Sequence, residues 1–105
     1  IYTLSYTLSL HDALPIYYIL AIINETRNRK LFTLGVSPRG ASALKSAAQA
    51  RALTDGRTYC IPDDVKEMAV PVLAHRVVLR DERIAGQGGE EEAIEEVLRN
   101  VHVPV

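Results

Sequence analysis

The chain has 105 residues, 48% of them apolar, with a formal net charge of −1. That size fits one globular domain, and the near-neutral charge excludes a general electrostatic pull toward nucleic acid or an anionic membrane surface. The single cysteine, Cys60, excludes an internal disulfide and fits a reducing, cytoplasmic setting, and no apolar run reaches the roughly 18 residues that insert across a bilayer.

The first stretch reads unlike the rest. Tyr2-Thr3-Leu4-Ser5 repeats at once as Tyr6-Thr7-Leu8-Ser9. From Thr7 to Ile16 the sequence resembles the conceptual translation of a common short-read sequencing adapter. A segment of that origin was never selected to fold. Residues 1–16 are therefore set apart as non-native, and residues 17–105 are taken as the domain. Two other readings stand beside this one. A signal peptide would need a basic start and a small-residue cleavage site, both missing here. A genuine strand followed by a helix is the other. On the adapter reading, His11 and Asp12 carry no chemistry.

From Tyr17 the pattern becomes regular. Ile19, Ile22, Ile23 and Thr26 recur at helical spacing and predict one amphipathic helix. Its basic end, Arg27 to Lys30, suits a helix C-terminus. Arg27 is either a solvated helix end or a group aimed at a partner. Leu31 to Val36 predicts a short extended connector. It leads into Leu34-Gly35-Val36-Ser37-Pro38-Arg39, a glycine turn entering a helix. Ser37 is a good N-cap and Pro38 suits the first helical position. Arg39 in the first turn runs against the helix dipole. A helix N-terminus beside an arginine can hold a phosphate. The competing reading is a solvated arginine after a good cap. Gly40 either keeps the space around Arg39 open or is merely tolerated.

This helix should run to Asp55 and stop at Gly56. Alanines lie on nearly every face, and Leu44 and Leu53 project to opposite sides at about 100° per residue. That predicts a central helix contacted from more than one direction. After a connector, Pro62-Asp63-Asp64 opens the next helix with two acids in the first turn, as the dipole favours. A metal pair is the less economical reading of those acids. Val65, Met68, Ala69, Val72 and Leu73 form an apolar face, and Pro71 should kink it. His75-Arg76 and the β-branched run Val77-Val78-Leu79 follow. Residues 80–89 predict a flexible, glycine-rich loop. It is no phosphate cradle, because no lysine accompanies it. Glu90 to Glu92 open a last helix that buries Ala93, Ile94, Val97 and Leu98. An extended tail from Val101 to Val105 closes the chain. The expected fold class is all-α: a small bundle of these four helices with short extended connectors.

Several of these segments together resemble one family. Tyr18-Ile19, Thr26-Arg27, Leu34 to Arg39, Asp55-Gly56-Arg57, Pro62 to Val65 and Val72 to Arg76 stand in the order and spacing of the helical lid of MoxR-type AAA+ ATPases. That family is close to the magnesium-chelatase ATPase subunits. The resemblance covers Tyr17 to the end. It implies that Arg39 is the sensor 2 arginine, which reaches the γ-phosphate of ATP held by a neighbouring α/β core. Gly35, Ser37 and Pro38 support it. His75 and Arg76 also match; they line the nucleotide site or a subunit boundary, or anchor the last segment of the lid. Val36 stands where the family often has alanine. Ile61 stands where a threonine N-cap is common, losing a bond worth about 1 kcal/mol.

The resemblance further implies ATP and Mg²⁺ for the full-length protein, a homo-oligomeric ring such as a hexamer, and chaperone-like remodelling. It also implies a partner carrying a von Willebrand factor A domain, with no nucleic acid and no membrane insertion. The chain contains no Gly-x-x-x-x-Gly-Lys-[Ser/Thr] loop and no strand ending in Asp-Glu. It therefore holds no complete active site, and the implied core is expected upstream. An alternative from another class is a small helical interaction module or a histone-like DNA-binding module. Tyr59 to Ala69 is loosely similar to the histone fold. The net charge and the acidic run Glu90 to Glu96 weigh against it, because DNA binding needs a basic surface. A third reading gives the fragment no function of its own.

Overall fold

The computed structural model describes residues 10–103. The Tyr-Thr-Leu-Ser repeat and the last two tail residues lie outside them. Four helices alternate with short connectors: α1 (Leu10–Asn28), β1 (Phe32–Leu34), α2 (Pro38–Thr54), α3 (Pro62–Leu73), β2 (Val78–Leu79) and α4 (Gly89–Asn100). A turn of 3₁₀ helix (Ala74–Arg76) extends α3.

The expected all-α bundle is what forms, with one addition. The two extended connectors pair as an antiparallel ribbon, Phe32 opposite Leu79 and Leu34 opposite Val78. Segments of three and two residues carry too little alternation to announce a sheet. The ribbon ties the start of α2 to the end of α3. Arg80 reinforces it, its N–H donating to Leu31 O at 2.9 Å and its Nε to Lys30 O at 2.9 Å.

α1 buries the predicted face of Ile19, Ile22, Ile23 and Thr26, and Tyr18 with it. It begins at Leu10 rather than Tyr17, so it runs unbroken through the boundary drawn after residue 16. Leu14 and Ile16 are half-buried there. α3 contributes Val65, Ala69 and Leu73, and α4 contributes Ala93, Ile94 and Val97; Met68, Val72 and Leu98 pack at the margin. Burial of these side chains, at about 25 cal/mol per Å² of apolar surface, is what holds the elements together.

α2 touches both α3 and α1, as expected of a helix contacted from more than one direction. Its fully buried residues nevertheless form one stripe, Gly40, Leu44, Ala48 and Ala52, every fourth residue. Leu53 is 65% exposed. α3 covers that stripe, and α1 touches its edge. Of the alanines off that stripe, Ala41, Ala43 and Ala47 are half-buried, and Ala50 is exposed, where helix propensity is its contribution.

The predicted caps are in place. Ser37 Oγ accepts from Gly40 N at 3.3 Å. At the far end Gly56 is left-handed, with φ 78°. Its N–H reaches Leu53 O at 3.0 Å while Arg57 N–H reaches Ala52 O at 3.0 Å, a Schellman motif. α3 lacks a side-chain N-cap at Ile61, as its sequence implies. Asp64 compensates in part, its carboxylate accepting from Ile61 N at 2.8 Å. Residues 81–88 form turns, tightened where Asp81 accepts from Arg83 N at 3.0 Å.

Candidate functional site

The start of α2 is anchored to the end of α1. Both polar backbone groups of Val36 are taken by consecutive side chains at the end of α1. The Val36 N–H donates to Thr26 Oγ1 at 3.1 Å, and Arg27 Nε donates to Val36 O at 3.1 Å. Thr26 in turn donates its own hydroxyl to Ile23 O at 2.7 Å. A threonine on an apolar helical stripe must find such partners once buried. That is the signal by which the sequence marks it, although the partner cannot be read there. Arg27 is thus more than a solvated helix end.

Two glycines make this close approach possible. A Cβ on Gly35 would lie 2.9 Å from both the carbonyl carbon and the oxygen of Thr26. A Cβ on Gly40 would collide with Cγ1 of Val36, whose side chain is 1% exposed. The space that Gly40 opens therefore belongs to Val36 and not to Arg39, and tolerance does not describe it. Gly40→Ala should destabilise the domain by about 1 kcal/mol. Overpacking costs about 1–3 kcal/mol, and the better helix propensity of alanine returns up to about 1 kcal/mol of that. A urea titration of the two forms checks this. An unchanged or raised midpoint would show that Val36 gives way freely.

Around this turn stand three arginines. Arg27 and Arg76 line one open groove together with Leu34, Gly35, Val36 and Ser37. Arg76 Cδ lies 3.4 Å from where a Gly40 Cβ would be, so its stem crosses the first turn of α2. Arg39, on that same turn, is exposed and is not among the walls of the groove. Among the described residues none of the three forms an ion pair with a carboxylate. The structure thus gathers Gly35, Ser37, Pro38, Arg39 and Arg76, and it adds Thr26 and Arg27. His75 separates from Arg76. It borders a different depression, with Gly86, Gly88, Glu90 and Glu91.

The opposite end of α2 is electrostatically closed. Asp64 is 1% exposed and accepts from Arg57 Nη1 at 2.7 Å and Nη2 at 2.8 Å. Those bonds, with the Ile61 N–H, hold its carboxyl below the usual carboxylate range against the opposing effect of burial. Arg51 bonds Asp55 at 2.8 Å, which lowers the Asp55 carboxyl in the same way. The Asp63-Asp64 pair is therefore split. Both acids lie in the first turn of α3, as the dipole favours, but Asp63 faces solvent while Asp64 is held by Arg57, so the two do not converge as a metal pair would. One end of α2 has its arginines neutralised in place. The other presents arginines with no carboxylate partner among the described residues, at the positive end of the helix dipole. Its first turn leaves only the Arg39 N–H without a partner, because Pro38 has none and the Gly40 and Ala41 N–H groups are bonded to Ser37.

A helical domain with an arginine-bearing helix start clamped to the preceding helix defines a class. The chain belongs to the AAA lid domain family, whose model matches residues 24–98. Within that class it is the lid of a MoxR-type AAA+ ATPase. It is 46% identical over 89 residues to the uncharacterized Bacillus subtilis protein YeaC, covering 84% of this chain and 28% of the relative. It is 34% identical over 103 residues to Chaperone MoxR1 of Mycobacterium tuberculosis, covering 90% of this chain and 27% of that protein. A crystal structure from Cytophaga hutchinsonii, designated a candidate ATPase, superposes with a TM-score of 0.74 at 28% identity. That match covers 86% of this chain and 30% of the other. The chain thus spans under a third of the length of these relatives. Among the described residues no helix is long and apolar enough to cross a membrane.

Proposed function

We propose that Arg39 is the sensor 2 arginine of an ATP-hydrolysing, ring-forming ATPase, and that this domain closes over nucleotide held by a separate core. The single observation that carries this reading is the turn itself. A rigidly capped first turn presents a guanidinium with no carboxylate partner among the described residues. The fit to a nucleotide is chemical. The guanidinium fork matches phosphate oxygens, and Arg27 and Arg76 add positive charge nearby. Bound ATP with Mg²⁺ supplies the phosphoryl group, and its transfer needs charge stabilisation rather than covalent help. Arg39 would bind and orient the terminal phosphate. Ser37, Pro38 and Gly35 would fix the turn that bears it. Residues 17–105 are the unit assigned to this role.

The similarity to a protein named as a chaperone supports a remodelling role for the full-length ATPase, in a homo-oligomeric ring such as a hexamer. A partner with a von Willebrand factor A domain belongs to the same reading. The test is Arg39→Ala in the full-length ATPase carrying this lid, followed by steady-state ATP turnover. Unaltered turnover together with unaltered nucleotide-dependent assembly would overturn the assignment.

A further inference from the structure

We infer that Arg27 and Thr26 are positioning residues for Arg39, acting through the backbone of Val36. The inference rests on the sensor reading above and goes beyond it by placing part of that function in a helix that precedes the arginine in the chain. The path is short and continuous. Thr26 Oγ1 and Arg27 Nε bind the two backbone groups of one peptide residue, at 3.1 Å each. The side chain of that residue fills the notch at Gly40. Gly40 N–H is in turn held by Ser37 Oγ at 3.3 Å. Arg39 lies between Ser37 and Gly40, so the turn that carries it is linked to α1 through Val36.

The bonds also differ in kind. Thr26 is fully buried and its hydroxyl is engaged on both sides, so it fixes distance. Arg27 is exposed and uses only Nε on Val36. Arg27 also lines the groove shared with Arg76. Losing the Arg27 bond removes little packing, yet it frees the carbonyl that sets the approach of the turn. An error of about 1 Å in a positioned group can cost on the order of a hundredfold in rate. Arg27 is therefore a sensitive lever on catalysis and a weak one on folding.

The experiment is a double-mutant cycle in the full-length ATPase, with Arg27→Ala, Arg39→Ala and the pair, read as kcat and as KM for ATP. Arg27→Ala should lower kcat about tenfold or more at a nearly unchanged melting temperature. In the Arg39→Ala background the same change should have no further effect, since it has nothing left to position. Thr26→Val should behave like Arg27→Ala below its own melting temperature, and Thr26→Ser should restore activity because it keeps the hydroxyl. Independent, multiplying losses from Arg27→Ala and Arg39→Ala would overturn the inference, as would full activity in Arg27→Ala. A silent Arg39→Ala would instead overturn the sensor reading on which it rests, so the two failures are distinguishable.

Discussion

Replacing Arg39 with alanine should lower ATP turnover by the full-length ATPase about a hundredfold or more while leaving the lid as stable as before. The size follows from what is removed. A preorganised donor aimed at developing charge contributes about 10²–10³ in kcat when it acts in a water-excluded site. Arg39 has the fork for that contact, and among the described residues no carboxylate competes for it. The stability half of the prediction is the sharper discriminator. Arg39 is exposed, and it sits where the helix dipole disfavours a cation. Removing it should leave the melting temperature unchanged or slightly raised. Arg39→Lys should not rescue turnover, because an ammonium is a point charge without the planar fork. A large fall in melting temperature would mean that Arg39 serves the fold. Turnover within twofold of the parent would mean that it serves nothing in the reaction.

This separation of stability from activity also explains what could be read in the sequence. The helices were legible because α1, α3 and α4 carry apolar residues at helical spacing. The turn at Ser37-Pro38 and the stop at Gly56 were legible because capping depends on residues adjacent in the chain. Other features depend on which segments meet. The ribbon of β1 and β2 joins five residues from distant parts of the chain. The clamp on Val36 joins a threonine to a backbone N–H ten positions away, and neither residue shows its partner. The buried stripe of α2 was hidden because alanine is compatible with a buried or an exposed face. Arg39 itself was visible as a cation in an unfavourable place. Its support was not, since the sequence leaves Arg27 as either a solvated helix end or a group aimed at a partner and does not say which backbone group it meets.

The same limit hid the pair that should matter most for folding. Asp64→Ala is expected to destabilise the domain by roughly 3 kcal/mol, near the range for breaking one side of a buried ion pair. Asp64 is 1% exposed and accepts three hydrogen bonds, two from Arg57 and one from the Ile61 N–H. Alanine would leave the first turn of α3 without its acceptor and Arg57 without its counter-charge. The cluster locks the end of α2 to the start of α3, the most extensive helix contact in the domain. Asp64→Asn keeps one acceptor oxygen and should cost less. The charge gives a second readout. Arg57 first, and the Ile61 N–H after it, hold the folded-state carboxyl below its ordinary value of about 4. A depressed carboxyl stabilises the fold fully above that ordinary value and loses the contribution as pH falls toward the lower folded one. The urea midpoint should therefore be flat from neutral pH to about 5 and drop below about 4, and Asp64→Asn should flatten the drop. Asp55 and Asp81 are lowered too, but they lie near the surface, where salt screens them. In about 1 M NaCl their share should vanish while that of Asp64 persists. If Asp64→Asn keeps the full acid-induced drop in high salt, the buried pair is not what stabilises this lid.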